Sequence, residues 1–162
     1  MNDEAARREL DSFKAAPLSL RRALAIAQKM RADSRIIDIG FDATADFAVY
    51  QVTASYGSLI QRYAINASNG STVGTASETP ISELGKQDQR MIVGLRAVRE
   101  GLLDAIIVAE RNTSGTAISA GITMDAGRLS FVVVCVSGDD LKEVTLEPPK
   151  ITGHERRGSA AR

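Results

Sequence analysis

Alternating apolar residues predict a first group of β-strands between residues 35 and 66. Ile37, Ile39 and Phe41 occupy every second position, which is the period of a strand with one buried face. Two further apolar stretches follow at 47–54 and 59–66, separated by a short turn. We therefore expect three consecutive antiparallel strands here.

A second group of strands is predicted near the end of the chain. The stretches 116–124, 128–137 and 141–147 are apolar at strand-like spacing, and the short turns between them contain Gly127 and Gly138. Glycine adopts the positive φ angles of tight turns without steric cost, so hairpins are expected at both places.

The two groups share one plan at a constant spacing, with a slip of one residue between helix and strand, where insertions are tolerated. The aligned pairs are Ile37–Ile118, Tyr50–Phe131 and Gly57–Gly138 at an offset of 81, and Ala23–Ala105, Leu24–Ile106 and Ala27–Ala109 at an offset of 82. Matching apolar positions over this length indicate a tandem duplication, whose two units should be related by an approximate two-fold axis.

Helical patterns precede the first strand group. Residues 3–15 are rich in good helix formers, and Leu10 and Phe13 are neighbours on one face, so this helix either docks or frays as a terminus. Ser19 is placed to cap a second helix over residues 20–30. The buried stripe of that second helix is predicted to be Leu20, Ala23, Leu24 and Ala27.

The segment between the strand groups is predicted to be a helical bridge. Thr79-Pro80 resembles an N-cap followed by proline in the first helical position, and Asp88 is placed to cap a longer helix. The apolar residues of that helix recur at helical spacing: Met91, Ile92, Leu95 and Val98. We expect this segment to cover apolar sheet surface.

These patterns together predict an α+β fold, with each unit a helix packed on an antiparallel sheet of three or slightly more strands. The expected divisions are an N-terminal helical extension at 1–17, a first repeat at 18–75, a bridging helical segment at 76–99, a second repeat at 100–153 and a disordered tail at 154–162.

Composition narrows the classes of partner. The 162 residues carry a formal net charge of zero, aromatic residues are 4% and tryptophan is absent, a composition that does not favour a nucleic-acid partner. No apolar run has the length of a membrane span. The first residues lack the basic region and apolar core of a leader peptide.

Residues with catalytic chemistry are few. The single histidine, His154, lies in the predicted tail, where it would be poorly held against a substrate. The single cysteine, Cys135, lies within a valine-rich strand, where burial makes a thiol inert. Asp139-Asp140 in a turn lacks the surrounding oxygen ligands that calcium needs. We therefore expect no enzymatic activity, no metal and no cofactor.

One strand is apolar on both faces. In 128–137, Phe131 and Cys135 share one face, while Val132, Val134 and Val136 lie on the other. An antiparallel sheet with one face in water alternates apolar and polar residues, so this second face must be covered or functional. Either the bridging helix or the other repeat covers it, or the three valines form a candidate partner-binding face.

Several segments together resemble the PepSY family. The first helix, residues 20–27, leads into strands, and the second strand contains Ala48-Val49-Tyr50-Gln51-Val52. The segment 63–70 is similar to the family's closing Val-Asp-Ala-x-Thr-Gly. The second unit matches through 102–113, Gly115 and 128–133, but its close, 146–153, has an acidic residue and prolines before Thr-Gly.

The resemblance implies a tandem PepSY-domain protein, exported to the periplasm or the exterior after removal of a leader. PepSY-like domains occur in propeptides of secreted metallopeptidases, so a non-catalytic binding protein that restrains a peptidase or another envelope protein is expected. The partner would dock on an edge strand or an apolar sheet face. The alternative is a small-ligand or lipid carrier, which a cavity lined by Tyr50, Tyr63 and Met91 would favour.

Overall fold

Over the residues that the structure describes, the fold is α+β, with four helices and seven strands. The computed structural model describes residues 3–43 and 46–148. Its helices are α1 (Asp3–Ala15), α2 (Leu20–Met30), α3 (Lys86–Ala97) and α4 (Leu102–Thr113), and a short 3-10 turn spans Ile81–Glu83. Its strands are β1 (Arg35–Asp42), β2 (Val49–Tyr56), β3 (Leu59–Asn66), β4 (Thr72–Pro80), β5 (Thr116–Asp125), β6 (Arg128–Ser137) and β7 (Asp140–Leu146). The predicted tail, His154 included, lies outside the described residues.

The strands form one continuous antiparallel sheet rather than one sheet for each unit. Their order is β4-β3-β2-β1-β5-β6-β7, so the two strand groups meet where β1 pairs with β5. The physical reason is that a three-stranded sheet leaves the backbone groups of its edge strand unpaired, and joining the two edges satisfies both. The expectation of separate sheets was therefore wrong.

The ladder registers of the two strand groups match at the predicted offset of 81. Phe41 pairs with Tyr50, and Ile122 pairs with Phe131 (122 − 41 = 81 and 131 − 50 = 81). The irregularities match as well, since the register shifts around Ile37 in β1 and around residue 118 in β5. The same sequence spacing thus produces the same strand pairing in both halves.

A local two-fold axis passes through the β1–β5 junction. Ile39 pairs with Ala120, and 120 − 39 = 81, so each residue faces its own equivalent in the other half. The flanking pairs are Asp38 with Gly121 and Gly40 with Ser119. Adding 81 to 38 and to 40 gives 119 and 121, so a two-fold rotation that exchanges the halves converts one pair into the other. The predicted two-fold relation between the strand groups is therefore present as a junction in the middle of the sheet.

Helices α2 and α4 cover one face of this sheet, which we call the inner face. The predicted stripe of α2 is buried as expected, and Ser19 Oγ accepts a hydrogen bond from the backbone N–H of Arg22 at 3.2 Å. Four of the five buried residues of α4 fall at the same helical positions: Leu102, Ala105, Ile106 and Ala109. On the sheet side, Tyr50 and Phe131 are fully buried, as predicted from their equivalent positions.

Helices α1 and α3 are also equivalent in position. Helix α1 ends at Ala15 and α3 ends at Ala97, which are 82 residues apart, the same offset that relates α2 to α4. Phe13 of α1 and Leu95 of α3 (95 − 13 = 82) are both buried in the core. Phe13 packs edge-on against Phe41 with ring centroids 5.2 Å apart. Helix α1 therefore docks rather than frays, and each half begins with a helix of its own.

These first helices bond to the opposite half of the molecule. Lys14 Nζ of α1 lies 2.9 Å from Asp139 Oδ1 in the β6–β7 turn. Arg96 of α3 occupies the position equivalent to Lys14, since 96 − 14 = 82. Its Nη2 donates to the carbonyl oxygen of Gly57 in the β2–β3 turn at 2.6 Å and to Ser55 Oγ at 3.3 Å. The halves are thus cross-linked by a reciprocal pair of contacts.

The predicted helical bridge at 76–99 needs correction. Its first residues belong to β4, which pairs with β3 and ends at Pro80, so Thr79-Pro80 does not begin a helix. Proline is tolerated there because β4 is an edge strand and one side of it needs no ladder donor. Helix α3 begins after Gly85, and Asp88 lies inside its first turn.

We predict that Phe131→Ala lowers the free energy of unfolding by about 3–5 kcal/mol, because the fully buried ring leaves a cavity. Phe47→Ala is the matched control, since Phe47 is 46% exposed and its loss should change stability by less than about 0.5 kcal/mol. Urea denaturation of both variants measures the difference. Equal stability of the two would contradict this account of the core.

We predict unequal effects from removing the two cross-links. Arg96→Ala leaves Ser55 Oγ, in a buried residue, without its charged donor and should cost about 1–3 kcal/mol. Lys14→Ala removes an exposed ion pair, which solvent screens, and should cost less than Arg96→Ala. Thermal unfolding in low and high salt checks both effects. A larger loss of stability from Lys14→Ala than from Arg96→Ala would contradict this ranking of the two contacts.

Candidate functional site

The two faces of β6 have different surroundings. Phe131, Val133 and Cys135 lie on the inner face and are fully buried. Of the three valines on the other face, which we call the outer face, Val136 is 6% exposed and belongs to the core. Val132 and Val134 are only partly buried. The predicted patch is therefore divided, and its accessible part is Val132 with Val134.

Val136 is buried because it lies at the end of the sheet where α1 joins α2. It lines a cleft there together with Phe13 and Pro17. The position of α1 was the missing information, since strand alternation alone placed Val136 with the other two valines.

The middle of the outer face combines small residues with these two valines. Val132 pairs with Gly121, which pairs with Asp38; Val134 pairs with Ser119, which pairs with Gly40. We call these six residues the central outer face. Asp38 is exposed although β1 is a central strand, which shows that this part of the sheet meets solvent.

Asp38 supplies the charge at this site. Its carboxylate lies against Gly121, where an added Cβ would collide with Oδ1. Desolvation raises the pKa of the Asp38 carboxyl above its ordinary value. Although the residue as a whole is exposed, its carboxylate loses part of its hydration to the sheet beneath it.

Helix α3 packs across one end of the sheet and contacts residues of both faces. Ile92 of α3 and Ile60 of β3 are both buried, and they line a cleft of about 180 Å³ together with Met91 and Ile37. Gly94 of α3 lies against Met124 and Leu129. The predicted bridging helix therefore does cover apolar sheet surface, at the end of the sheet where β1 begins.

A second open feature lies on the other side of α3. This groove, which we call the α3 groove, has a volume of about 720 Å³ and runs between α3 and the β5–β6 hairpin. It is lined by Lys86, Gln89, Arg90, Val93, Met124 and Gly127, among others. Val93 is 67% exposed.

Sequence reasoning missed this groove, although a signal was present. Lys86 and Arg90 are four residues apart and therefore lie on one side of the helix, next to Val93. The sequence interpretation treated α3 as a cover for the sheet and considered only its apolar stripe. Its partner surface, the β5–β6 hairpin, comes from residues 30 or more positions away.

The thiol of Cys135 occupies a structural position. Cys135 is fully buried on the inner face, and desolvation raises the pKa of its thiol. The prediction of an inert core cysteine agrees with this placement.

The acidic groups near the helices are engaged in the fold. Glu110 Oε2 accepts from the backbone N–H of Ala117 at 2.8 Å, and Glu110 Oε1 lies 3.2 Å from Arg21 Nε. Asp139 pairs with Lys14 as described above. Within 3–43 and 46–148, no group of three or more His, Cys, Asp or Glu residues is arranged to hold a metal ion.

The three residues named for a carrier cavity lie in three separate places. Tyr50 is fully buried, and its hydroxyl donates to the carbonyl oxygen of Leu18 at 2.7 Å. Tyr63 lines a cleft with Met30, and Met91 lines the small cleft beneath α3. Among the helices of the described ranges, none has the length and apolar character to cross a membrane.

Comparisons with known proteins leave the family open. No protein-family model matches the chain, and no curated protein matches it. A structural similarity exists to the crystal structure of a "putative lipoprotein" from Clostridium difficile 630, with a TM-score of 0.43 and 11% sequence identity. That alignment covers 81% of this chain and 86% of the other.

We predict that Asp38→Asn stabilises the protein at neutral pH. Because the pKa of Asp38 is raised in the folded state, its ionised form is disfavoured by folding, and stability falls as pH rises through that window. The advantage of Asp38→Asn should therefore be largest near pH 7 and shrink as pH falls towards the ordinary value of 3.8. Urea unfolding between pH 3 and 7 measures it.

Asp139→Asn is the control with the opposite sign. The hydrogen bond from Lys14 lowers the pKa of Asp139, so this carboxylate stabilises the fold above its ordinary pKa and the contribution is lost as pH falls through the lowered value. Asp139→Asn should therefore be less stable than the parent at neutral pH. If the free energy of unfolding of both variants differs from that of the parent in the same direction at neutral pH, the assignment at Asp38 is wrong.

Proposed function

We propose that this chain is a non-catalytic binding protein of the cell envelope, which acts by docking on a protein partner through the central outer face. The observation that carries the proposal is the partial exposure of Val132 and Val134 beside Gly121, in the middle of a sheet. Apolar surface left open at such a place is typical of an interaction site.

The shape of this surface suits a protein partner. Valine side chains have few rotamers, so little conformational entropy is lost when they are covered. Gly40 adds no side chain to this face, whereas the space above Gly121 is filled by the Asp38 carboxylate, which is therefore the polar group a partner would meet. Asp38, with its reduced hydration, can accept a hydrogen bond from a partner at lower desolvation cost than a fully hydrated carboxylate.

The resemblance to PepSY domains supports a regulatory role. By that resemblance the partner is a peptidase or another envelope protein whose activity is restrained, and the location is periplasmic or extracellular. The engagement of Glu110 in the fold and the burial of Cys135 support the proposal that the protein binds rather than catalyses.

A small-ligand or lipid carrier is the second candidate. The observation in its favour is the cleft beneath α3, whose apolar lining includes Ile37, Ile60, Met91 and Ile92. Its volume of about 180 Å³ is below the roughly 300–1,000 Å³ of ordinary ligand pockets, so a ligand would have to displace α3. Mass spectrometry of an organic extract of the protein purified from its native host would detect a lipid present in stoichiometric amount.

We predict that Val134→Asp leaves the protein folded, whereas Val133→Asp unfolds it. Val134 is partly open to water, while Val133 is fully buried on the inner face, where an unpaired carboxylate has no compensating partner. Circular dichroism and urea unfolding distinguish the two. Unfolding by Val134→Asp would show that the outer face is internal packing and would overturn the proposed site.

Partner docking is tested by a photo-crosslinking amino acid introduced in the native host. Placed at residue 134, it should give a discrete protein adduct, and Val132→Asp in the same chain should abolish that adduct. Placed at Arg22, an exposed position on α2, it serves as the matched control and should give none. An adduct at residue 22 but not at residue 134 would contradict the proposal.

A further inference from the structure

The α3 groove holds two positive charges, Lys86 and Arg90, that no described residue pairs. Lys86 and Arg90 form no ion pair with any residue in the described ranges, and no carboxylate lines the groove there. The polar side chains beside them are the uncharged amides of Gln87 and Gln89. The groove is therefore positive along one wall.

The placement of these charges opposes the local preferences of a helix. Like charges four residues apart repel each other by a few tenths of a kcal/mol, and a cation in the first helical turn meets the positive end of the helix dipole. Lys86 is the first residue of α3. Asp88 does not relieve the repulsion within the groove, since it lines the cleft on the other side of the helix.

The floor of the groove is apolar. Met124 Cε lies 3.7 Å from the position of a Cβ added at Gly94, and the exposed Val93 is the adjacent residue of the helix. The far wall is the hairpin turn at Ala126 and Gly127, where both residues have positive φ angles, 53° and 78°. Such a two-residue turn holds the hairpin end in one conformation, so the wall is preformed.

The equivalent surface in the first half lacks this pattern. At an offset of 82, Lys86 corresponds to Glu4, Arg90 to Arg8 and Val93 to Asp11. The α1 surface therefore mixes signs, with an acidic residue where the groove has Lys86 and another where it has Val93. The fold does not require a positive groove, so its presence on α3 is a property of this position.

We propose that the α3 groove binds an acidic segment of a protein partner, in which carboxylates alternate with an apolar side chain. The carboxylates would pair with Lys86 and Arg90, and the apolar side chain would cover Val93 and Met124. The groove volume of about 720 Å³ is within the roughly 300–1,000 Å³ of ordinary ligand pockets.

A peptide segment fits better than a membrane surface. Binding to anionic lipid typically uses clusters of four to eight basic residues on a projecting surface, whereas this groove has two cations in a recess. The formal net charge of the chain is zero, so no general attraction to an anionic surface adds to it. This inference uses a different surface from the central outer face and stands independently of the function proposed for that face.

The test is fluorescence anisotropy with a labelled seven-residue peptide that alternates glutamate and leucine. The same peptide with glutamine for glutamate is the uncharged comparison. The full chain should bind the glutamate peptide at least about tenfold more tightly than the glutamine peptide, and added salt should reduce the difference. Equal affinity for the two peptides, or binding of neither at millimolar concentration, would overturn the proposal.

The matched variants separate the groove from general charge. The double variant K86E/R90E should weaken binding of the glutamate peptide at least about tenfold. The control, R8E/R22E, makes the same change of charge on α1 and α2 and should leave binding unchanged. Loss of binding in the control alone, or in both variants equally, would contradict the assignment.

Two further measurements distinguish the α3 groove from the central outer face and a peptide from a membrane surface. Val93→Ser should weaken peptide binding without altering charge, whereas Val134→Asp should not, which distinguishes this groove from the central outer face. Co-sedimentation with phosphatidylglycerol vesicles tests the lipid source. Vesicle binding that depends on Lys86 and Arg90, in the absence of peptide binding, would overturn the peptide proposal in favour of a membrane surface. Circular dichroism confirms that each variant is folded.

Discussion

The antiparallel pairing of β1 with β5 is the interaction on which the rest of the structure depends. It is short, with three residue pairs centred on Ile39 and Ala120. Both of these residues are buried beneath the inner helices, so the junction is held from one side by packing and along its length by backbone hydrogen bonds. Because it joins an edge strand of each group, it turns a four-stranded ladder (β1–β4) and a three-stranded ladder (β5–β7) into one sheet.

This junction also explains why the first helices bind the opposite half. Once β1 and β5 are neighbours, the turn of each outer hairpin lies near the first helix of the other half. Lys14 reaches the β6–β7 turn, and Arg96 reaches the β2–β3 turn. Cutting the chain between the halves would therefore remove contacts from both, which distinguishes this arrangement from two independent modules joined by a linker.

The two candidate binding surfaces differ in how they depend on the repeat. Four residues of the central outer face lie at the two-fold junction itself, and Gly121 there leaves room for the Asp38 carboxylate. The α3 groove lies away from the axis, at a place where the halves have diverged in sequence: Lys86 stands where the other half has Glu4. A duplicated fold can keep its packing residues and change its surface independently, since exposed positions contribute little to stability.

The sequence by itself determined six of the seven strands, the helices and the constant spacing of the two strand groups, but not β4. Period-two alternation predicted the strand around Ile39, and an apolar run between two turns predicted the strand around Phe131. Helical spacing predicted α2 and α4, and the constant offset predicted which ladders are equivalent. These features are local, because a strand or an amphipathic helix records its buried face in neighbouring residues. The burial of Cys135 followed from the same rule.

Only the tertiary structure decided how the equivalent parts meet. Alternation could not show that β1 pairs with β5, because backbone hydrogen bonds at a sheet edge carry little side-chain signature. It placed Val136 with Val134, yet α1 buries the first and leaves the second partly open. The α3 groove likewise needs a helix and a hairpin that are distant in sequence. Surfaces of this kind arise from the relative placement of elements, which long-range packing sets and local sequence patterns do not encode.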